Sequence, residues 1–245
     1  MEGQTMTRTV LIAGSSRGIG EAAARLEATA GSRVILHGRT ETEKLKQLAA
    51  ELGTLAFTCD GQDETAVNRT VQQITEQGCE IDALICTIGA VLPTNALTGD
   101  TERWIDEYRS NVLAPVNFIR AVAPGMTARG RGRIVTVSSI RGRDNLASPE
   151  VTGYSAAKAA LENVTASFAK ALAPAVTINA VAPGFVMTDM AETWSETVRG
   201  EVASNLLGRA GQPEEIAALL SYLTSDGASF ITGQTILADG GLDAR

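Results

Sequence analysis

The stretch Thr9-Val10-Leu11-Ile12-Ala13-Gly14-Ser15-Ser16-Arg17-Gly18-Ile19-Gly20 decides the fold. Its first five residues form a short apolar run that stops at a glycine, the pattern of a buried strand. A helix is expected from about Gly18 to Ala30, ended by Gly31. Gly14 permits a tight turn, Gly18 lets a ligand approach the backbone, and Gly20 lets the helix pack closely. The unpaired N–H groups of a helix start favour an anion, so the turn reads as a phosphate cradle. Its glycine-x3-glycine-x-glycine spacing differs from the commoner dinucleotide fingerprint but uses the same physics. Gly14, Ser16, Arg17, Gly18, Ile19 and Gly20 are the residues such a ligand would meet.

Working outward, strands are expected at Arg33–His37, Leu55–Thr58, Asp82–Thr87, Arg133–Val137, Val176–Val181 and Thr235–Ala238. Helices are expected at Glu41–Leu52, Asp63–Gln77, Thr101 to about Arg129, Gly153–Leu172 and from Pro213 onward. Pro115 and Pro124 predict a kink or break near each. Ala191 to Leu207, rich in Thr, Ser and Glu, reads as helical but polar, a mobile cover within a polar segment around 189–210. Strand and helix alternate without a linker or repeat. The pattern predicts an α/β fold: one doubly wound, Rossmann-type domain over residues 9–245, with a parallel sheet of about seven strands and helices on both faces. Residues 1–8 read as a flexible N-terminal extension.

Bulk properties narrow the function. A chain of 245 residues can bury a full core without disulfides or metals. Aromatic residues at 4% and a net charge of −7 argue against a base-stacking or phosphate-backbone surface, so no nucleic acid is expected. Cys59, Cys79 and Cys86 lack metal-like spacing, which suits a reducing, cytoplasmic setting. The single histidine, His37, argues against a His-based zinc site or a Ser-His-Asp triad, and no metal is expected. No apolar run is long enough to span a membrane.

Two further constellations carry chemistry. Tyr154 and Lys158 are four residues apart, which puts a phenol and an ammonium on one helix face. A cation beside a phenol favours the phenolate, making a usable acid/base; the same spacing also arises as a surface pair. At the end of the second strand, His37-Gly38-Arg39 stands where a carboxylate would bind the two hydroxyls of an adenosine ribose. Arg39 and Arg17 can instead embrace a 2′-phosphate, favouring NADP (NADPH) over NAD. His37 itself reads as a polar strand end.

With these motifs the chain resembles the short-chain dehydrogenase/reductase family, and within it the bacterial 3-oxoacyl-acyl-carrier-protein reductases. The likeness runs from about Thr7 to Leu242 through Ala13–Gly20, Asn111-Val112, Gly132–Ser139, Tyr154–Lys158, Asn179–Gly184, Leu207–Arg209 and Ile231–Gly241. It implies that Ser139 polarises a carbonyl and Tyr154 protonates it. Lys158 would lower the tyrosine pKa and bind the nicotinamide ribose, and Asn111 would hold a water linking Lys158 to solvent. It implies that Pro183, Gly184, Val186 and Thr188 orient the nicotinamide, that Asp60 and Gly61 lie beside the adenine, and that Gly89 passes behind the cofactor. A homotetramer built partly from Thr101–Arg129 and Gly153–Leu172 is also implied.

Three departures stand out. Cys86-Thr87-Ile88-Gly89 keeps only the glycine of the family's Asn-Asn-Ala-Gly, which leaves the bracing of that strand to Thr87. Ser139 and Tyr154 are two residues further apart than usual, implying an insertion in Arg141–Thr152; Ser138 is the rival serine. The turn at Ala173–Ala175 is short. The expected reaction is NADPH-dependent reduction of a ketone to a secondary alcohol, best matched by a 3-oxoacyl thioester. Arg129, Arg131, Arg133, Arg141 and Arg143, with Lys170, read as a basic cluster; Arg129 and Lys170 would dock an acidic acyl carrier protein, or the cluster is a solvated loop. A reductase of a free small ketone, sugar or secondary alcohol is the rival reading, and a non-catalytic NADP sensor the remote one.

Overall fold

The computed structural model describes residues 7–244, without the side chains of Met190 and Thr193. Seven strands, β1 (Thr9–Ala13), β2 (Arg33–Gly38), β3 (Leu55–Thr58), β4 (Ala83–Cys86), β5 (Gly132–Val137), β6 (Val176–Pro183) and β7 (Thr235–Ala238), form one sheet in the order β3-β2-β1-β4-β5-β6-β7. Every pairing is parallel. The doubly wound Rossmann-type fold expected from the sequence is the fold observed. The order reverses between β1 and β4, so the loops leaving those strands diverge and open a crevice at their carboxyl ends.

Helices α1 (Gly18–Thr29), α2 (Glu43–Leu52), α3 (Glu64–Glu76), α4 (Thr101–Tyr108), α5 (Ala114–Ala128), α6 (Thr152–Leu172), α7 (Glu196–Ser204) and α8 (Pro213–Leu223) complete the chain. One core joins the sheet to α1, α2 and α8 through Ala23, Leu45, Leu48, Ile216 and Leu220. The other, containing Val67, Ile74, Phe118, Ile119 and Met126, seats α3 and α5 on the opposite face. Buried strand residues such as Leu11, Ile12, Leu84 and Ile85 serve both layers, which is why the strands read as continuous apolar runs rather than alternating ones.

The helical stretch expected over Thr101 to about Arg129 is interrupted near Pro115, as anticipated, and is not broken at Pro124. The helix is interrupted by a π turn at Arg109–Leu113, where the hydrogen bonding loosens by one residue. Pro115 sits in the first turn of α5, where its missing N–H costs nothing, and α5 continues through Pro124. The expected cover helix is also shorter: a 3₁₀ turn at Asp189–Thr193 precedes α7. Residues 1–6 of the expected flexible extension lie outside the described residues. Arg8, placed in it by the sequence reading, is anchored: its guanidinium pairs with the buried Glu27 at 2.5 Å and donates to the Thr224 carbonyl.

Candidate active site

A cleft of about 970 Å³ runs along the carboxyl ends of the strands. At one end lies the glycine turn. Gly14 has φ +94°, a conformation glycine adopts freely. A Cβ added to Gly20 would lie 2.2 Å from the Gly14 carbonyl oxygen, so only glycine lets the helix start this close to the strand. Thr87 locks the turn from β4, with its hydroxyl 3.1 and 3.0 Å from the Ala13 and Gly14 carbonyls. The bracing questioned by the Cys86-Thr87 departure is thus carried by a threonine hydroxyl.

Beyond the turn, the cleft passes Gly38, Arg39, Asp60 and Gly61 at the ends of β2 and β3. Arg17 and Arg39 are both exposed there. The Asp60 carboxylate accepts from the Gln62 N–H at 3.0 Å, and Asn117 donates to the Gly61 carbonyl at 2.9 Å. His37, read as a polar strand end, lies near the end of β2 and is buried. It is 2% exposed, packs edge-on against Phe118, and puts Nε2 3.1 Å from the Cys59 carbonyl. Burial pushes its pKa down to about 4, against the opposing pull of that carbonyl and Asp60.

At the far end, the chain after β5 turns back at Ser138-Ser139. Ser138 points inward, its hydroxyl donating to the Lys158 carbonyl at 3.2 Å and to Glu162 at 3.0 Å. Ser139 lines the cleft near Tyr154, its hydroxyl accepting from the Arg141 N–H at 3.2 Å. Both serines line the cleft, but the Ser138 hydroxyl is engaged by α6. Lys158 lies one turn below Tyr154 on α6; its ammonium donates to the Val137 carbonyl at 2.8 Å and sits 5.5 Å from the centre of the phenol ring.

The pKa pattern corrects one expectation. Burial pushes the Tyr154 phenol up to about 12, while the nearby Ser139 hydroxyl and the Arg141 charge pull it back and Glu107 adds to the rise. Burial likewise pulls Lys158 down to about 8, opposed by Cys86 and Glu107. Removal from water, rather than the neighbouring ammonium, dominates the phenol, which is therefore neutral and proton-loaded near pH 7.

Asn111 lies in the π turn. Its amide donates to the Ala90 carbonyl at 2.8 Å and to Glu107 at 2.6 Å, and accepts from the Ala90 N–H at 3.2 Å. A Cβ at Gly89 would lie 2.7 Å from Asn111 Oδ1 and 3.1 Å from Lys158 Nζ, so the wall there must be bare backbone. Pro183, Gly184, Val186 and Thr188 leave β6 along the opposite wall. The residues fit an extended dinucleotide: a cradle for phosphates at one end, a backbone wall free of side chains at Gly89, and hydroxyl donors at the other.

The loop from Arg141 and the cover segment, both singled out in the sequence, meet at this end of the cleft. Arg141 donates to the Leu146 carbonyl and to Glu201 of α7 at 2.7 Å, and stacks over Phe185. Trp194, Ser195 and Val198 of the cover segment line the cleft beside them. Glu107 is missed, although its place four residues before Asn111 on a helix is a legible signal.

The basic cluster also needs correction. Arg129, Arg131 and Arg133 lie at the amino end of β5, opposite the cleft, paired with Glu80, Asp82 and Asp226. Arg141 and Arg143 lie at its carboxyl end, paired with Glu201 and Glu162. Physical separation along a strand divides what the sequence lists as neighbours. Lys170, in the last turn of α6, falls at the Arg129 end.

The family model described as "Enoyl-(Acyl carrier protein) reductase" matches residues 13–243. The chain belongs to the short-chain dehydrogenase/reductase family, and is an oxidoreductase working between C=O and CH–OH with a nicotinamide cofactor. It is 34% identical to the 3-oxoacyl-[acyl-carrier-protein] reductase of Thermotoga maritima over 96% of this chain and 97% of that one. It is 30% identical to the Staphylococcus aureus protein of the same name over 97% and 98%. Among solved structures, a putative gluconate dehydrogenase from Agrobacterium tumefaciens superposes with a TM-score of 0.91 at 28% identity, covering 96% and 95% of the two chains. A short-chain type dehydrogenase/reductase from Mycobacterium ulcerans has the same TM-score and identity, covering 97% and 90%.

Proposed function

We propose that the protein reduces a ketone to a secondary alcohol using NADPH, with a 3-oxoacyl thioester as substrate. One observation carries the reading: Ser139, Tyr154 and Lys158 gather at the end of a cleft that begins at the glycine cradle, with the ammonium 5.5 Å from the centre of the phenol ring. The nicotinamide, when bound, supplies the hydride. Tyr154, neutral at working pH, gives its proton to the carbonyl oxygen. Ser139 donates a second hydrogen bond where oxyanion charge develops. Lys158 stabilises the phenolate left behind and takes the ribose hydroxyls; Asn111 holds the adjoining wall and the water path to Lys158. Gly14, Ser16, Arg17, Gly18, Ile19 and Gly20 hold the pyrophosphate, Asp60 and Gly61 flank the adenine, and Pro183, Gly184, Val186 and Thr188 orient the ring. Exposed Arg17 and Arg39 support the choice of NADPH.

The thioester assignment draws on the relatives named as 3-oxoacyl-[acyl-carrier-protein] reductases. Docking of an acidic carrier at Arg129 and Lys170 would occur on the face remote from this chain's own cleft, so the carrier would serve a neighbouring subunit of a homotetramer. Ile105, Tyr108 and Leu113, exposed on α4 and the π turn, are the apolar surface such an assembly would cover. The free cysteines Cys59, Cys79 and Cys86 support a cytoplasmic setting.

A second reading, reduction or oxidation of a small sugar acid or free ketone, is favoured by the fold match to a putative gluconate dehydrogenase. A panel of 3-oxoacyl thioesters, keto esters and sugar acids, each tested with NADPH and NADH, separates the two. Preferential turnover of thioesters with NADPH supports the first; turnover confined to sugar acids would replace it.

A further inference from the structure

Glu107 is fully buried yet carries a carboxylate. A lone carboxylate in such a place is costly unless it is hydrogen-bonded or faces a cation. Both conditions are met. One oxygen accepts a short hydrogen bond from the Leu92 N–H. The other accepts from Asn111 Nδ2 at 2.6 Å. Asn111 in turn clasps both the N–H and the carbonyl of Ala90. The segment Ala90–Leu92 is therefore pinned at both ends through one carboxylate and one amide.

The pinned segment adjoins Gly89, where an added Cβ would come within 2.7 Å of Asn111 Oδ1 and 3.1 Å of Lys158 Nζ. Glu107 thus sits behind the wall on which the reactive lysine rests. We infer that Glu107 is a positioning residue for the Tyr154–Lys158 pair, holding the Gly89–Leu92 wall through Asn111 and setting a negative charge behind the Lys158 ammonium. It touches neither cleft nor reacting atoms; it acts through Asn111 and through its charge. The inference rests on the ketone-reduction reading above.

The charged and titratable groups around this point are few and named. From α6 come Tyr154 and Lys158, from β4 the Cys86 thiol, and from the turn after β5 Arg141, which acts on Tyr154. Burial raises the Glu107 pKa, and Leu92, Lys158 and Asn111 each draw it back. Glu107 favours the charged form of Lys158 and the protonated form of Tyr154. Both effects keep the pair in the state needed to deliver a proton.

The test is Glu107→Gln. It keeps the shape, removes the charge and can satisfy only one of the two donors well. Lysine-selective isotope labelling with NMR, assigned by the signal lost in Lys158→Met, follows the ammonium without any turnover. In Glu107→Gln that titration should move to lower pH by on the order of half a unit or more. The turnover number on a keto ester should fall about tenfold, with NADPH affinity, read by fluorescence, changed less than about threefold. An unmoved Lys158 titration in folded Glu107→Gln overturns the inference, whatever happens to turnover. Should that variant not fold, Glu107→Asp keeps the charge on a shorter arm. A lowered turnover number with an unmoved Lys158 titration then supports the inference, and full turnover overturns it. Because the titration needs no substrate, failure of the ketone assignment itself would appear separately, as a parent protein that turns over no ketone.

Discussion

The Lys158 ammonium stands 5.5 Å from the centre of the Tyr154 ring and is held by the Val137 carbonyl, while Ser139 lies on the hydroxyl side of the phenol and draws its pKa down. The division of labour follows: serine meets the hydroxyl, lysine lies beneath the ring. With Tyr154 at about 12 and Lys158 at about 8, the pair is cationic and proton-loaded through neutral pH. Lysine loses its charge as pH rises through its pKa. Ketone reduction should therefore hold steady below about pH 8 and decline above it. A stopped-flow pH series that stays flat well above that value would assign the limb elsewhere.

Tyr154→Phe should abolish most turnover while leaving the fold intact, with a loss of about 10²–10⁴-fold from the missing acid alone. Ser139→Ala should be similarly damaging. Ser138→Ala should be much milder on the chemical step, because its hydroxyl is spent on Glu162 and the Lys158 carbonyl. Single-turnover rates of the three variants rank them, and a more sensitive Ser138 would contradict the assignment.

Cofactor choice can be read from Arg39→Asp. Losing a charge-assisted contact to a 2′-phosphate costs about 1.5–3 kcal/mol. NADPH efficiency should drop by roughly ten- to a hundredfold with NADH little affected. Comparable efficiency with both cofactors in the parent protein would remove the basis for an NADPH preference.

Thr87→Val tests the brace on the glycine turn. The valine keeps the volume and deletes the hydroxyl that faces two carbonyls, so stability should fall by about 1 kcal/mol. Cofactor affinity should weaken severalfold, with the turnover number at saturation largely kept. Calorimetry of the variant with and without NADPH checks both parts; unchanged affinity would mean the turn holds its shape unaided.

His37 gives the protein an acid sensitivity. Its pKa is about 4 when folded, against 6.5 for a free side chain. Between those values the unfolded chain binds the extra proton, so stability rises with pH there. The contribution is complete above about pH 6.5 and is lost as pH falls toward about 4. Denaturant titrations at pH 7 and 4.5 should show the parent losing about 2–3 kcal/mol more than His37→Asn. Equal losses would remove His37 from the account.

Much of this was legible in the chain because each signal is local. Thr9–Ala13 is a strand by its apolar run, and the glycines that follow define the turn whatever surrounds them. Tyr154 and Lys158 share a face by helical spacing alone. What stayed hidden depends on distance across the fold. No local pattern says that Arg141 reaches Glu201 or that His37 will be covered by Phe118. The arginines at 129–143 are close in sequence, yet an intervening strand carries them to opposite ends of the sheet. The break near Pro115 was anticipated, but the looser turn at Arg109–Leu113 comes from tertiary demands on Asn111, which propensity does not encode.

That π turn has a consequence for how the chain tolerates length changes. Each residue of a regular helix advances the phase by about 100°. One residue removed from Arg109–Leu113 would let α4 and α5 merge into an unbroken rod. The flanking helices would keep their phase, because a π turn takes up one residue more than an α-helix for nearly the same rotation; what would be lost is the place of Asn111 against Ala90 and Glu107. The turn thus holds one residue that the cleft needs and a regular helix would not accommodate. Deletions here should be far less forgiving than deletions in the exposed loop Asn95–Asp100 just upstream.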